Sequence, residues 1–168
     1  MIENDIIIGF SRSISFWKIG SRVIQEVEKR NYSHVYIRYV DPSTGIVMIA
    51  QASHGMINEM SFAIFKQNNI IVKEYNLTAT EKQFLDILIF IKQNLGKSYS
   101  MSQIFLIGIK KLFGFETTIN NKDTAFICSE LGARICIILG IILNNNIDYE
   151  TPSDLDTLLQ NTNTPLLS

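Results

Sequence analysis

Cysteine and histidine are scarce in this 168-residue chain, with two of each. Cys128 and Cys136 stand eight positions apart, which makes no disulfide framework, so a reducing compartment is the default expectation. No Cys/His cluster has zinc spacing, and no metal or organic cofactor is expected. A strong charge of either sign is also missing. The net charge of −1 argues against a dedicated surface for nucleic acid or an anionic membrane. The pair Lys110-Lys111 has no aromatic interleaving on its face. Long apolar runs are missing too: Ile135 to Leu143 falls far short of the ~20 residues that span a bilayer. The acidic start, Met1-Ile2-Glu3-Asn4-Asp5, lacks the basic region that opens a signal peptide. Nothing resembles a repeat, a low-complexity tract or an interdomain linker, so one domain over 1–160 with a fraying tail over 161–168 is expected.

The apolar pattern sets the elements. Asp5 to Phe10 reads as a buried strand, and Phe16, Ile19, Gly20, Val23, Ile24 and Val27 follow helical spacing up to Asn31. His34 to Val40 alternates as a strand, and Asp41-Pro42-Ser43-Thr44-Gly45 turns it into a return strand over Ile46 to Ala52. Short strands over Met56–Glu59 and Asn69–Tyr75 complete an antiparallel meander. Thr78-Ala79-Thr80-Glu81 has the spacing of a capping box. A helix with Phe84, Ile87, Leu88, Ile91 and Leu95 on one face follows, stopped by Gly96, and a second runs from Met101 to Leu112. Phe126 to Leu143 reads as a central buried helix, and Thr151-Pro152-Ser153-Asp154 opens a last one with Thr as N-cap and Pro at N1. The order of helix, strands, then helices is that of an α+β domain with a small antiparallel sheet packed against helices.

The stretch Phe126-Ile127-Cys128-Ser129-Glu130-Leu131 carries the sharpest chemical signal. A cysteine where a loop becomes a buried helix meets the first-turn N–H groups and the positive dipole end, which favour the nucleophilic thiolate. Its bland alternative is a packing cysteine, the reading given to Cys136 among Ile135, Ile137 and Ile138. For a base, His34 opens a strand and shares a face with Tyr36 and Arg38, whereas His54 stands in a Ser-His-Gly turn. A catalytic imidazole needs a third group to set its tautomer. Gln51, polar inside the apolar strand Ile49-Ala50-Gln51-Ala52, lies directly across from His34 if the hairpin turn spans Asp41 to Thr44. A one-residue slip would remove it to the other face. Glu130 and Arg134 are spaced to pair along the helix. Gly96-Lys97-Ser98 is no phosphate loop, because Ile91 stands where the pattern needs glycine.

The order Tyr32-Ser33-His34-Val35, Ala50-Gln51-Ala52, Leu95-Gly96-Lys97-Ser98-Tyr99, Phe126-Ile127-Cys128-Ser129-Glu130-Leu131 and Thr151-Pro152-Ser153-Asp154-Leu155 resembles the circularly permuted NlpC-type, papain-like cysteine hydrolases. The bacterial YiiX and YaeF proteins are examples, and phage genomes also encode such chains. The resemblance implies a permuted papain-like domain with Cys128 as nucleophile, His34 as general base and Gln51 as orienter, where many permuted members carry Glu. It implies that Tyr99 lines the cleft and that Ser129, next to the nucleophile, contacts substrate. The implied reaction is hydrolysis of a peptide amide or an acyl-lipid ester through an acyl-enzyme, in the cytoplasm or a virion, with other virion proteins as possible partners. A non-catalytic virion or binding protein with the same fold is the rival. Chemistry at a membrane surface, with Leu106 to Phe115 as an apolar contact, is a further reading that the charge does not favour.

Overall fold

The structure, a computed structural model, describes residues 4–14, 30–53, 56–97, 128–141, 151–162 and 164–167. Six strands form one antiparallel sheet: β1 (Asp5–Ser13), β2 (His34–Val40), β3 (Val47–Ser53), β4 (Met56–Ser61), β5 (Asn69–Thr78) and β6 (Leu166–Leu167). Their spatial order is β4-β3-β2-β1-β5-β6. The helices among the described residues are α1 (Phe62–Asn68), α2 (Glu81–Asn94), α3 (Cys128–Ile138) and α4 (Pro152–Asn161). The architecture is therefore α+β.

Strand alternation divides the sheet into two unequal faces. Ile6, Ile8 and Phe10 of β1, Val35, Ile37 and Tyr39 of β2, and Ala50 and Ala52 of β3 build the larger core. Against it pack Phe84, Ile87 and Ile91 from α2, Leu131 and Ile135 from α3, and Leu155 and Leu159 from α4. Gly132 permits the close approach of α3, since a Cβ there would lie 2.6 Å from Leu155 Cδ2 and 3.3 Å from Val35 Cγ1. The opposite face holds a smaller cluster of Tyr36, Ile49 and Phe65, the last supplied by α1.

The β2–β3 register departs from the expected one. The loop runs from Asp41 to Ile46, closed by Asp41 N–H to the Ile46 carbonyl and Gly45 N–H to the Asp41 carbonyl, with Gly45 at φ 68°. Val40 therefore pairs with Val47, and Gln51 lies across from Tyr36 rather than His34. Because the slip is two residues, sidedness survives.

Other differences have local causes. Thr78-x-x-Glu81 and Thr80-x-x-Gln83 both fit a capping box, but Thr78 pairs with Asp5 in the sheet, and the box forms on Thr80 and Gln83. The helix expected to reach Leu143 ends at Ile138, where Gly140 at φ 77° lets Ile141 N–H bond the Cys136 carbonyl. Helix α1, capped by the Ser61 hydroxyl, has no counterpart in the expected elements. The tail is not wholly frayed, because Leu166 and Leu167 pair with Tyr75 and Glu74. The helices expected over 16–31 and 101–112 fall largely or wholly outside the described residues.

Candidate functional site

His34 is the first residue of β2 and half-buried. Its Nε2 lies 2.8 Å from Gln51 Oε1, a bond that spans the diagonal between neighbouring strands. The direction of that bond is fixed from further out. Asn58, across from Gln51 on β4, donates its amide N–H groups to the carbonyls of Ser53 at 3.1 Å and Met56 at 3.4 Å. Carbonyls only accept, so that end of Asn58 is the NH2 and its Oδ1 faces Gln51. Gln51 then donates through Nε2 to Asn58 Oδ1 at 3.3 Å and to the Met60 sulfur at 3.8 Å. What remains toward His34 is the Gln51 oxygen, which accepts only. The imidazole must carry its proton on Nε2, and the neutral ring presents Nδ1 as its basic nitrogen. Two backbone carbonyls thus set a histidine tautomer through two side-chain amides.

Cys128 is the first residue of α3 and 2% exposed; neither it nor Cys136 is in a disulfide. It belongs to the larger core, in which the contributing residues of β2 are Val35, Ile37 and Tyr39. His34 has the opposite parity, shared with Tyr36 and Arg38. The structure therefore brings His34 and Gln51 together and places Cys128 with the side chains of the other face. Ser129 is buried beside Cys128, and Glu130 accepts from Arg134 at 3.3 Å, as the four-residue spacing leads one to expect. Tyr99 and His54 lie outside the described residues. Among the described residues no three His, Cys, Asp or Glu side chains gather as metal ligands, and no helix is long and apolar enough to cross a membrane.

Three carboxylates that sequence reasoning passed over organise the rest of the polar interior. Asp156 of α4 is fully buried and accepts from Tyr32 Oη at 2.6 Å, Tyr75 Oη at 2.6 Å and Lys73 Nζ at 2.8 Å. Burial alone would raise its pKa, and the three donors outweigh burial, leaving the carboxyl below its usual range. Glu74 accepts from Tyr36 Oη at 2.6 Å and Arg38 at 2.7 Å, while Glu59 accepts from Tyr39 Oη and from Lys92. Burial, reinforced by these carboxylates, raises the Tyr36 and Tyr39 phenols well above their ordinary range. The available signal was Asp156 itself, a carboxylate flanked by the apolar Leu155, Leu158 and Leu159 of one helix.

No protein-family model matches the chain, and no curated protein matches it in sequence.

Proposed function

We propose that the protein is a cysteine-dependent hydrolase that cleaves an amide or acyl-ester bond through an acyl-enzyme on Cys128. The observation that carries the reading is the His34–Gln51 bond, which leaves Nδ1 of a half-buried imidazole as a base. His34 takes the Cys128 proton, the thiolate attacks the carbonyl carbon, and the leaving group departs with the proton returned from His34. The helix start favours the thiolate electrostatically, and the Cys128 N–H is an oxyanion donor. The reading requires sulfur and imidazole to meet around the end of β2, where His34 is the terminal residue. A permuted papain-like arrangement of the sheet and α3 goes with this proposal, with a peptide or acyl-lipid as substrate.

A second reading, a non-catalytic binding or virion protein, draws on a specific observation. Cys128 is almost wholly buried among core side chains of the face that His34 does not share. Iodoacetamide labelling at mildly acidic pH, followed by peptide mass spectrometry, separates the two. The hydrolase reading expects Cys128 to be alkylated while Cys136 is spared, and Cys128 labelling to fall in His34→Ala. Equal, slow labelling of both cysteines would overturn it.

A further inference from the structure

The two edges of the sheet are finished differently. At the β4 edge, Ile57 N–H bonds the Lys97 carbonyl at 3.1 Å and Gly96 N–H bonds the Ile57 carbonyl at 2.9 Å. Lys92 of α2 also reaches Glu59 there, at 2.6 Å. At the opposite edge, β1 pairs with β5 along its whole length, but β6 covers only Glu74 and Tyr75 on the outer side of β5. Asn76 N–H adds one bond to the Pro165 carbonyl at 2.9 Å. Over residues 69–73 the outer side of β5 has no strand beside it among the described residues. The ladder with β1 breaks in the same stretch: Phe10 pairs with Lys73 and Ser11 with Ile71. Val72 is therefore the extra residue of a bulge, with no cross-strand partner among the described residues. A row of unpaired N–H and C=O groups is a template for another strand. Charge does not guard this one, because Lys73 turns onto the buried Asp156 carboxylate at 2.8 Å. The stretch Ile70-Ile71-Val72 is apolar, and Ile70 is 42% exposed.

The kind of chain this edge accepts is visible in β6. Leu166 lies opposite Tyr75 and Leu167 opposite Glu74, antiparallel to β5. The two leucines stay 55% and 38% exposed, so the main chain holds this strand more than its side chains do. Each backbone bond contributes modestly, and ordering each residue costs a comparable amount, so a strand this short opens readily. We infer that the outer edge of β5 is a docking strip for an extended aliphatic peptide segment of a partner protein, and that β6 is its displaceable occupant. The peptide takes the place of Leu166 and Leu167, antiparallel to β5, and continues past Lys73 to Asn69. Main-chain hydrogen bonds supply the affinity, and the residue opposite Ile70 packs on its exposed side chain. The inference rests on the sheet alone and is independent of the hydrolase reading.

The probe is a fluorescein-labelled peptide, Thr-Pro-Leu-Leu-Thr-Val-Thr-Val, which begins by repeating residues 164–167 and then continues the strand. Its anisotropy is followed against the full chain and against a variant lacking residues 164–168, both shown folded by circular dichroism. Leu167→Pro, which removes a backbone N–H opposite Glu74, is a second way of freeing the edge. Either change should tighten binding roughly tenfold, since a competing strand tied to the same chain is gone. Adding Ile70→Asp should weaken binding roughly tenfold, by setting a charge against the aliphatic peptide. Amide exchange should slow across residues 69–73 when the peptide is bound. A peptide with proline at alternate positions cannot complete the ladder and should not bind. Folded variants without β6 that ignore the first peptide, or that bind both peptides equally, would overturn the inference. So would dimerisation of those variants with no uptake of peptide, which would give the edge to a second copy of the chain.

Discussion

At the scale of single residues, the most informative group is an amide. Gln51 is nearly buried in a strand whose neighbours on either side are alanines, and it spends its oxygen on His34 and its nitrogen on Asn58 and Met60. That division of labour predicts a tautomer. At a pH where the imidazole is neutral, nitrogen-15 spectra of ring-labelled protein should show His34 mainly as the Nε2–H form. Gln51→Leu removes a bond worth ~1 kcal/mol net, which shifts the tautomer ratio by roughly fivefold toward Nδ1–H. An unchanged ratio in the folded variant would mean that Gln51 does not orient the ring. The pairing of His34 with Gln51 was legible in the sequence because a strand has period two, so any even slip keeps both on one face. Ser11 was not legible. A serine near a strand end reads as a break until the register places it against His34 and burial leaves its hydroxyl unmatched.

At the scale of elements, the apolar pattern located β2, β3 and α2, through alternation in the strands and one buried stripe, Phe84, Ile87 and Ile91, in the helix. It failed where competition between neighbours decides. The hairpin loop absorbed Gly45 and Ile46 because Gly45 takes a positive φ and Asp41 closes the loop with both its N–H and its carbonyl. Thr78 lost its cap role to the ladder with Asp5. Seven-residue α1 offers too short a repeat to register, although Phe65 is its one buried anchor and packs its ring, tilted, 4.6 Å from that of Tyr36. The contact between β1 and β2 depends on a missing side chain. A Cβ at Gly9 would stand 2.0 Å from Tyr36 Cζ. That ring is pinned by its bond to Glu74 on one side and Phe65 on the other, so it has little room to yield. Gly9→Ala should therefore destabilise the fold by at least the ~1–3 kcal/mol typical of overpacking, read as a lower urea midpoint. An unshifted midpoint would mean that the two strands tolerate more separation than their packing suggests.

At the scale of the whole molecule, the polar interior joins segments that are far apart in sequence. Asp156, from the last helix, holds Tyr32 just before β2 and Lys73 and Tyr75 of β5, so the chain's late residues fasten its early ones. None of these pairings has a sequence period, and for that reason composition and spacing leave them invisible. They do have a pH signature. The Asp156 carboxyl is depressed in the fold, so its contribution is complete above the unfolded aspartate value of ~3.9 and is lost as pH falls through the lower folded value. Tyr36 and Tyr39 are displaced the other way. Their contribution is complete below the unfolded tyrosine value of ~10 and is lost as pH climbs toward the raised folded values. As far as these groups govern it, urea unfolding should show a stability plateau between about pH 5 and 9 that declines on both sides. Asp156→Ala leaves Lys73 and two phenols facing a lost partner, so it should cost about 3–5 kcal/mol at pH 7. The deficit against wild type should shrink below about pH 4, where the unfolded carboxylate takes up a proton that the native one still resists. A deficit that stays constant from pH 7 to pH 3 would show that Asp156 stabilises by packing alone, and that charge does not tie the last helix to the sheet.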